Sequence, residues 1–355
     1  MHMKCGHFLS YIRLLLCAVA ASGSAAGEAR GADGEVSETL RREGIHWPGE
    51  GGKQIEVSIG IYVVDFARIN LREESFDMAG YLDTRWVDPT IALKGDERKG
   101  RLRRFRPGQI WSPALEFVNA IEQANAKREG DLYVTDDGLV TQRVRFSHNF
   151  QSPLRLQRFP FDSQVLTIHV APFDPFARDL KLVVDTKRVG KLNDASVTDW
   201  DILEVNASAR PDGDDSPGER YDFRVVVRRR YTFYFWRVLL PMTLLVVASW
   251  AVFWFDVTNL QPQISTSLAI LLSLVTFTYA IDFSLPKVAY LTFIDRYTLT
   301  AFSFVLSSIF TVSTMHVVLR RKGVEAATLI QSTVRPIFPL AFVVAVSMVA
   351  ILSFR

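Results

Sequence analysis

The chain of 355 residues contains only two cysteines, and both lie near its start, at Cys5 and Cys17. The rest of the chain can therefore form no disulfide and no thiolate metal site. A histidine pair at metal-ligand spacing, a phosphate-binding glycine loop and a nucleophile elbow are also missing. The net charge is +3, with basic and acidic residues interspersed, which gives no nucleic-acid footprint. These absences predict no metal, no cofactor, no enzymatic activity and no nucleic-acid partner.

The first 26 residues have a weakly basic start, an apolar run and small residues around Ser24 to Ala26. This pattern predicts a cleavable export signal at 1–26, followed by a linker at 27–44. A first membrane helix is the alternative, but the apolar run is short and Arg13 interrupts it.

Residues 45–230 consist of short alternating runs bounded by glycine, proline and aspartate. In "IEVSIGIYVVDF" the apolar side chains fall on one face of a strand: Ile55, Val57, Ile59, Ile61 and Val63. A helical period is present only in "ALEFVNAIEQANA", residues 114–126. Many short strands at this spacing predict an exported, antiparallel, immunoglobulin-like β sandwich.

Residues 231–355 hold four apolar segments of a length that crosses a hydrocarbon core. They predict a bundle of four membrane helices at about 231–255, 262–283, 293–319 and 335–354. The connection at 320–334 carries Arg320, Arg321 and Lys322, so the positive-inside rule predicts a cytoplasmic loop there.

The second apolar segment has no formal charge from Gln263 to Ile281, yet it contains six serine and threonine side chains. Residues three and four apart form one helical face: Ser265, Ala269, Leu272, Thr276, Tyr279 and Phe283. One interpretation is a monomeric bundle in which the hydroxyls bond to their own or neighbouring helices. The other is that several copies surround a water-filled pore with an apolar constriction at Leu272.

The order of motifs along the chain resembles the pentameric ligand-gated ion channels, above all their bacterial members. These motifs are "FPFD" at 159–162, "RRRY" at 228–231, Pro241 in the first helix, and "DFSLPK" at 282–287. The "FPFD" segment has no flanking cysteines, and the third-to-fourth connection is short, as in the bacterial form. The resemblance implies a homopentamer in membrane lipid, with the face described above lining the pore and Leu272 at the gate.

The same resemblance implies which residues transmit gating between the two domains. Glu73, Asp162, Arg229 and Pro286 occupy the matching positions. The alternative for Asp162 and Arg229 is a surface ion pair of little energetic consequence.

In this family the agonist lies between subunits among aromatic side chains. The matching positions are Trp111, Phe173 and Tyr221 on one side, and Tyr62 and Tyr81 on the other. Each of these rings could equally belong to the core. An amine-like agonist would suit aromatic faces, and proton sensing stays open as the second possibility.

Ion selectivity depends on charges at the pore mouths. Asp282 lies at the outer end and Asp256 before the inner end, which predicts permeation of monovalent cations. Gln261 or its neighbour Pro262 occupies the position where many cation-selective relatives have glutamate. The expected location is the bacterial inner membrane, with the β domain in the periplasm.

A second class of function is a membrane-tethered β-sandwich binding protein or carbohydrate-active protein without channel activity. Asp136 and Asp137 would then be candidate catalytic carboxylates, although a "DDG" sequence is more often a turn.

Overall fold

The structure is a computed structural model that describes residues 47–49, 54–93, 100, 102–121, 130–173, 180–192, 199–211, 219–282 and 288–354. The predicted export signal, the linker, Phe283 and Pro286 lie outside these residues.

The N-terminal part is a sandwich of two sheets. The first sheet has the strand order β3-β5-β6-β2-β1-β8, with β9 also pairing with β1, and the second has the order β10-β11-β7-β4. The strands are β1 (Ile55–Asn70), β2 (Ser75–Val87), β3 (Arg103–Phe105), β4 (Leu115–Phe117), β5 (Leu132–Val134), β6 (Leu139–Gln151), β7 (Ser163–Pro172), β8 (Leu180–Val184), β9 (Gly190–Lys191), β10 (Trp200–Pro211) and β11 (Glu219–Arg229).

The predicted alternation in β1 is confirmed, because its five apolar residues from Ile55 to Val63 are all buried between the sheets. Burying this face is what fixes the register of each strand. Two pairings depart from the antiparallel prediction: β1 runs parallel to β8 and to β9. The preceding strand, β7, belongs to the other sheet, so the chain crosses between sheets and meets β1 in the same direction.

The segment with a helical period begins as a strand. Leu115–Phe117 forms β4 and pairs antiparallel with β7. Val118 N then donates to His169 O at 2.9 Å, which continues the contact with β7. Pairing to an existing sheet edge satisfies the backbone of this segment, so tertiary contacts override its local periodicity.

The C-terminal part contains four helices within the described residues, and each is long and apolar enough to cross a membrane. They are α1 (Thr232–Trp254), α2 (Leu260–Asp282), α3 (Phe293–Lys322) and α4 (Val324–Phe354). α1 is irregular: Phe235–Leu239 is a π-helical turn and Trp250–Trp254 is 3-10. The π turn immediately precedes Pro241, whose ring prevents regular α-helical bonding at this point.

The fourth helix begins at Val324 rather than near residue 335, so the predicted cytoplasmic loop at 320–334 is mostly helical. α3 continues to Lys322, and Gly323, with φ of 88°, is the single residue between the two helices. Glycine adopts this left-handed conformation without strain. Hydropathy marks only the apolar part of a helix, whereas the Glu, Ala, Leu and Gln residues after Gly323 favour helix irrespective of polarity.

Candidate pore and gating junction

The face of α2 that was predicted to line a pore is exposed in the single chain. Leu272 and Tyr279 are each 67% exposed. Ser265, Ala269 and Thr276 on the same face are also exposed. The opposite face is buried against the other helices through Gln263, Ser267, Ile270 and Leu274. α2 therefore turns its more polar stripe away from its own bundle.

The hydroxyl groups of α2 bond to the helix itself. Ser273 Oγ donates to Ala269 O at 2.8 Å, and Thr276 Oγ1 donates to Leu272 O at 2.9 Å. Since the hydroxyl proton points back to a backbone carbonyl, the oxygen lone pairs face outward. The exposed hydroxyls of Ser273 and Thr276 thus present acceptor lone pairs to their surroundings.

The ends of α2 carry the predicted charge-selecting residues. Asp282 is the last residue of the helix and is exposed, and Gln261 is exposed in its first turn. Asp256 lies in the turn before α2, where its Oδ1 accepts hydrogen bonds from Thr258 N at 2.9 Å and Thr258 Oγ1 at 2.8 Å. These bonds lower the pKa of Asp256, so its carboxylate is ionised at neutral pH.

The "FPFD" loop and the end of β11 meet in a buried ion pair. Arg229 Nε donates to Asp162 Oδ1 at 2.7 Å and Nη2 donates to Oδ2 at 3.1 Å, and both side chains are 2% exposed. Gln164 Nε2 adds a further hydrogen bond to Asp162 Oδ2 at 2.5 Å. The pair is therefore not the surface contact that the alternative reading expected, and loss of either partner would leave a charge buried.

Three aromatic rings enclose the guanidinium of Arg229. Its Cζ lies 4.0 Å from the ring centroid of Trp200, 4.7 Å from Phe159 and 5.8 Å from Tyr234. Tyr234 belongs to α1, whereas the other two rings belong to the sandwich. Trp200 was not predicted from the sequence; its position at the start of a strand carries no sign of this contact.

Backbone hydrogen bonds also cross between the domains. Leu156 N donates to Tyr290 Oη at 3.0 Å, and Phe293 N donates to Gln157 O at 3.0 Å. Phe293 is the first residue of α3, so the sandwich loop accepts from one of the donors that a helix start leaves unpaired. Tyr290 and Gln157 were also missed, because no motif distinguishes them.

Glu73 is exposed in the turn between β1 and β2. Ser152 N donates to Glu74 O at 2.8 Å, which connects this turn to the start of the segment that leads to "FPFD". The structure thus links the turn of Glu73 to the segment that precedes "FPFD", while Pro286 is outside the described residues.

The five aromatic residues predicted around the agonist fall into two groups. Trp111 and Tyr221 are buried in the sandwich core, at 4% and 0% exposure. Trp111 packs edge-on against Trp47 and Trp86, with centroid distances of 4.8 and 5.7 Å. Burial raises the pKa of Tyr221. These two rings serve the core and present no face to a ligand in this conformation.

The other three aromatic residues are accessible. Phe173 is 73% exposed directly after β7. Tyr62 and Tyr81 are half-buried and lie opposite each other across β1 and β2. The Arg143 guanidinium covers the Tyr81 ring, with Cζ 5.4 Å from its centroid. An amine at Tyr81 would therefore have to displace a cation that is already present.

The face of the second sheet carries a cluster around Asp222, whose side chain is 1% exposed. His169 Nδ1 lies 2.6 Å from Asp222 Oδ1, and the guanidinium groups of Arg210, Arg220 and Arg224 lie within 3.1 Å of the carboxylate. Burial opposes the charge, but the hydrogen bond with His169 and the charges of the cluster outweigh it and lower the pKa of Asp222.

Asp136 and Asp137 form a turn before β6. Gly138 closes it with φ of 85°, and Gly138 N donates to Thr135 O at 3.0 Å. Asp136 Oδ2 accepts from Gly100 N at 2.6 Å. Both carboxylates have the turn-forming arrangement that the sequence favoured.

Comparison with known proteins identifies the family. The sequence profile of the family described as neurotransmitter-gated ion-channel ligand binding domain matches residues 43–231, more than half of the chain. The chain belongs to the pentameric ligand-gated ion channels. The members of this family are channels rather than enzymes, so the carbohydrate-active alternative is set aside.

The sequences of individual relatives are similar to this ligand-gated channel over most of its length. A proton-gated ion channel of Gloeobacter violaceus is 28% identical over 303 residues, which are 84% of each chain. Gamma-aminobutyric acid receptor subunit rho-2 of Homo sapiens is 26% identical over 274 residues, and subunit alpha-6 of Gallus gallus is 24% identical over 276. These two matches cover 74% of this channel and 58% of the receptor subunits. The ligand-gated channel is thus a membrane protein of two domains, as its four apolar helices also indicate.

Proposed function

We propose that this ligand-gated channel is a homopentamer that conducts monovalent cations through a pore lined by α2. The observation that carries the proposal is the exposed stripe from Ser265 to Tyr279, which faces away from the chain's own bundle. In a ring of copies the Leu272 side chains form an apolar constriction that closes by dewetting.

Cation selectivity is supported by the polarity of the stripe. The hydroxyl of Thr276 in this stripe donates inward to Leu272 O, so its outward lone pairs can replace water around a cation. An anion would need outward donors instead. Rings of Asp282 at one mouth and Asp256 at the other add negative potential.

The Asp162–Arg229 pair supports a gating route between the domains. It connects the loop that contacts α3 with the strand that leads into α1, and it is buried on all sides. Motion of the sandwich therefore reaches α1 and α3 through one rigid junction, and Glu73 and Pro286 belong to the same route.

An amine-like agonist would bind between subunits in the sandwich domain, with Phe173 on one side and Tyr62 and Tyr81 on the other. Protons are the favoured agonist, and an amine-like ligand is the second. The Arg143 guanidinium over Tyr81 disfavours an added cation there. The relative in Gloeobacter violaceus is described as proton-gated. His169 and Asp222 are candidate sensors, and Arg210, Arg220 and Arg224 face them.

The channel occupies the bacterial inner membrane with its sandwich in the periplasm. This orientation places Arg320, Arg321 and Lys322, at the end of α3, on the cytoplasmic side.

The test combines native mass measurement with voltage clamp of cells that express the full chain. A pentameric mass, currents evoked by acid steps, and reversal at the cation potential are expected. A monomer in native detergent contradicts the pore, whereas reversal at the chloride potential contradicts cation selectivity. Currents evoked by amines at constant pH but not by acid would contradict protons as the agonist and favour the amine-like ligand.

A further inference from the structure

We infer that Gln331 and Arg335 of α4 are positioning residues for the inner mouth of the pore: they hold the turn between α1 and α2, and with it Asp256. The link from this turn to ion conduction rests on the proposed function, whereas the holding of the turn does not.

Both side chains reach backbone carbonyls at the end of α1. Gln331 Nε2 donates to Phe255 O at 2.7 Å, and Arg335 Nε donates to Phe253 O at 2.9 Å. The Arg335 guanidinium also lies over Trp254, with Cζ 5.5 Å from the ring centroid. Gln331 is only 5% exposed, although it lies in a helix of a membrane domain. A buried amide in such a place is costly unless it makes a specific hydrogen bond.

The carbonyls that these side chains bind are the ones that a helix end leaves without a partner. The guanidinium also places positive charge at the negative end of the α1 dipole. The next carbonyl along the turn is bound from α2, where Gln263 Nε2 donates to Asp256 O at 3.0 Å. The turn is therefore held from two helices, and α4 supplies two of the three side chains.

Apolar packing fixes α4 at this level. Val252 and Phe253 of α1 and Val312 and Met315 of α3 form a separate buried cluster at the inner end of the bundle. Partly buried residues pack around it from α1, the turn, α2 and α4: Trp250, Val257, Leu260, Ile264, Ile330, Val334 and Phe338. α4 can take part only because it begins at Val324 rather than near residue 335.

The carboxylate of Asp256 is carried by the turn that α4 holds. Within the described part of the chain its side chain is bound locally, to Thr258 N and Oγ1, so its position follows the backbone of the turn. Loosening the turn would move this charge away from the ion path and weaken the cation potential at the inner mouth.

The first experiment measures hydrogen–deuterium exchange in residues 255–260 of the reconstituted full chain. Gln331→Leu leaves Phe255 O without its partner and changes no charge, so we expect about fivefold faster exchange in the turn. Arg335→Lys keeps the charge but loses the directed Nε bond, and it should act in the same direction. Leu329→Ala, at a side chain that is 69% exposed on the same helix, is the matched control. Exchange equal to the control in both variants overturns the inference, whether or not the chain conducts ions.

The second experiment measures single-channel conductance. We expect Gln331→Leu to lower outward cation conductance by about twofold, and to have little further effect in an Asp256→Asn background. An equal loss in both backgrounds overturns the role through Asp256. If the wild-type current reverses at the chloride potential, the proposed selectivity fails, while the exchange result still decides whether α4 holds the turn.

Discussion

The sandwich and the helical bundle satisfy their polar groups in opposite ways. In the sandwich, buried carboxylates bind guanidinium groups from other parts of the sheet, as Asp162 binds Arg229 and Asp83 binds Arg143. In the helices, hydroxyls donate to carbonyls of their own helix, as Thr276 does in α2. The first arrangement ties elements to one another. The second leaves such a hydroxyl out of the contacts between helices, which side chains such as Tyr297, Gln331 and Arg335 make instead.

Under the proposed function, the ion pairs between strands would let the sandwich move as a body. The exposed hydroxyls of α2 bond to their own helix, so they would not hold α2 to its neighbours when it moves. The Asp162–Arg229 pair lies at the boundary between the sandwich, with its ion pairs between strands, and the helices, with their hydroxyl bonds to their own backbone.

The largest effect is expected at that junction. Asp162→Asn or Arg229→Gln alone should cost about 3–5 kcal/mol of stability, because each leaves an unpaired charge at a buried site. Gating should fail before agonist binding does, since the pair transmits motion without touching the ligand. Thermal unfolding of the solubilised channel and agonist dose–response curves measure the two effects.

The matched control for the junction is Arg230→Gln. Arg230 binds Asp201 at 2.8 Å, but the two side chains are 55% and 40% exposed, so its loss should cost at most about 1 kcal/mol. The double variant Asp162→Asn with Arg229→Gln should lose less than the sum of the single losses. Additive losses, or single losses no larger than the control's, would show that burial of the pair is energetically unimportant.

The next largest effect is expected at Leu272 in the exposed stripe of α2. Leu272→Thr should hydrate the constriction and lower the agonist concentration for half-maximal current by about tenfold. Leu340→Thr in α4 is the control, since Leu340 is 68% exposed and Leu272 67%. A shift toward weaker sensitivity at normal surface expression would remove Leu272 from the gate.

A smaller effect is expected at the mouth of the pore. Asp282→Asn should lower single-channel cation conductance by about twofold at low salt and less at high salt, where the field is screened. Asp282→Lys should lower it further. Conductance in asymmetric salt is the measurement, and values unchanged by both substitutions would place Asp282 away from the ion path.

The smallest effect is a pH dependence confined to the sandwich. The pKa of Asp222 lies below its ordinary value of 3.8, so its ionised form stabilises the fold above about pH 4, and this contribution is lost as the pH falls through the folded pKa. Asp222→Asn should flatten the acid side of the stability curve. Unfolding midpoints over a series of acid pH values test this, and an unchanged slope would mean that the cluster contributes no pH-dependent stability.

Sequence patterns predicted the sandwich and the exposed stripe of α2, because each rests on a strict period of buried and exposed residues. They failed where position depends on distant chain segments. Trp111 and Tyr221 resemble ligand-site aromatics in sequence, but packing against Trp47 and Trp86 buries Trp111, and the register of β11 turns Tyr221 into the core. The start of α4 was misplaced because hydropathy does not report helix propensity. The partners of Arg229, such as Trp200, are visible only once the strands are assembled.

The bond from Phe293 N to Gln157 O limits how the two domains can move relative to each other. Thr292 and Asp295 form a capping box at the start of α3, which satisfies the backbone N–H groups of both residues. The carbonyl of Gln157 satisfies the N–H of Phe293 as well. Separation of the sandwich from the bundle would leave the Phe293 N–H without an acceptor, whereas rotation of the sandwich about Phe293 would keep this bond. Under the proposed gating route, this bond therefore favours rotation of the sandwich about the first residue of α3 over its separation from the bundle.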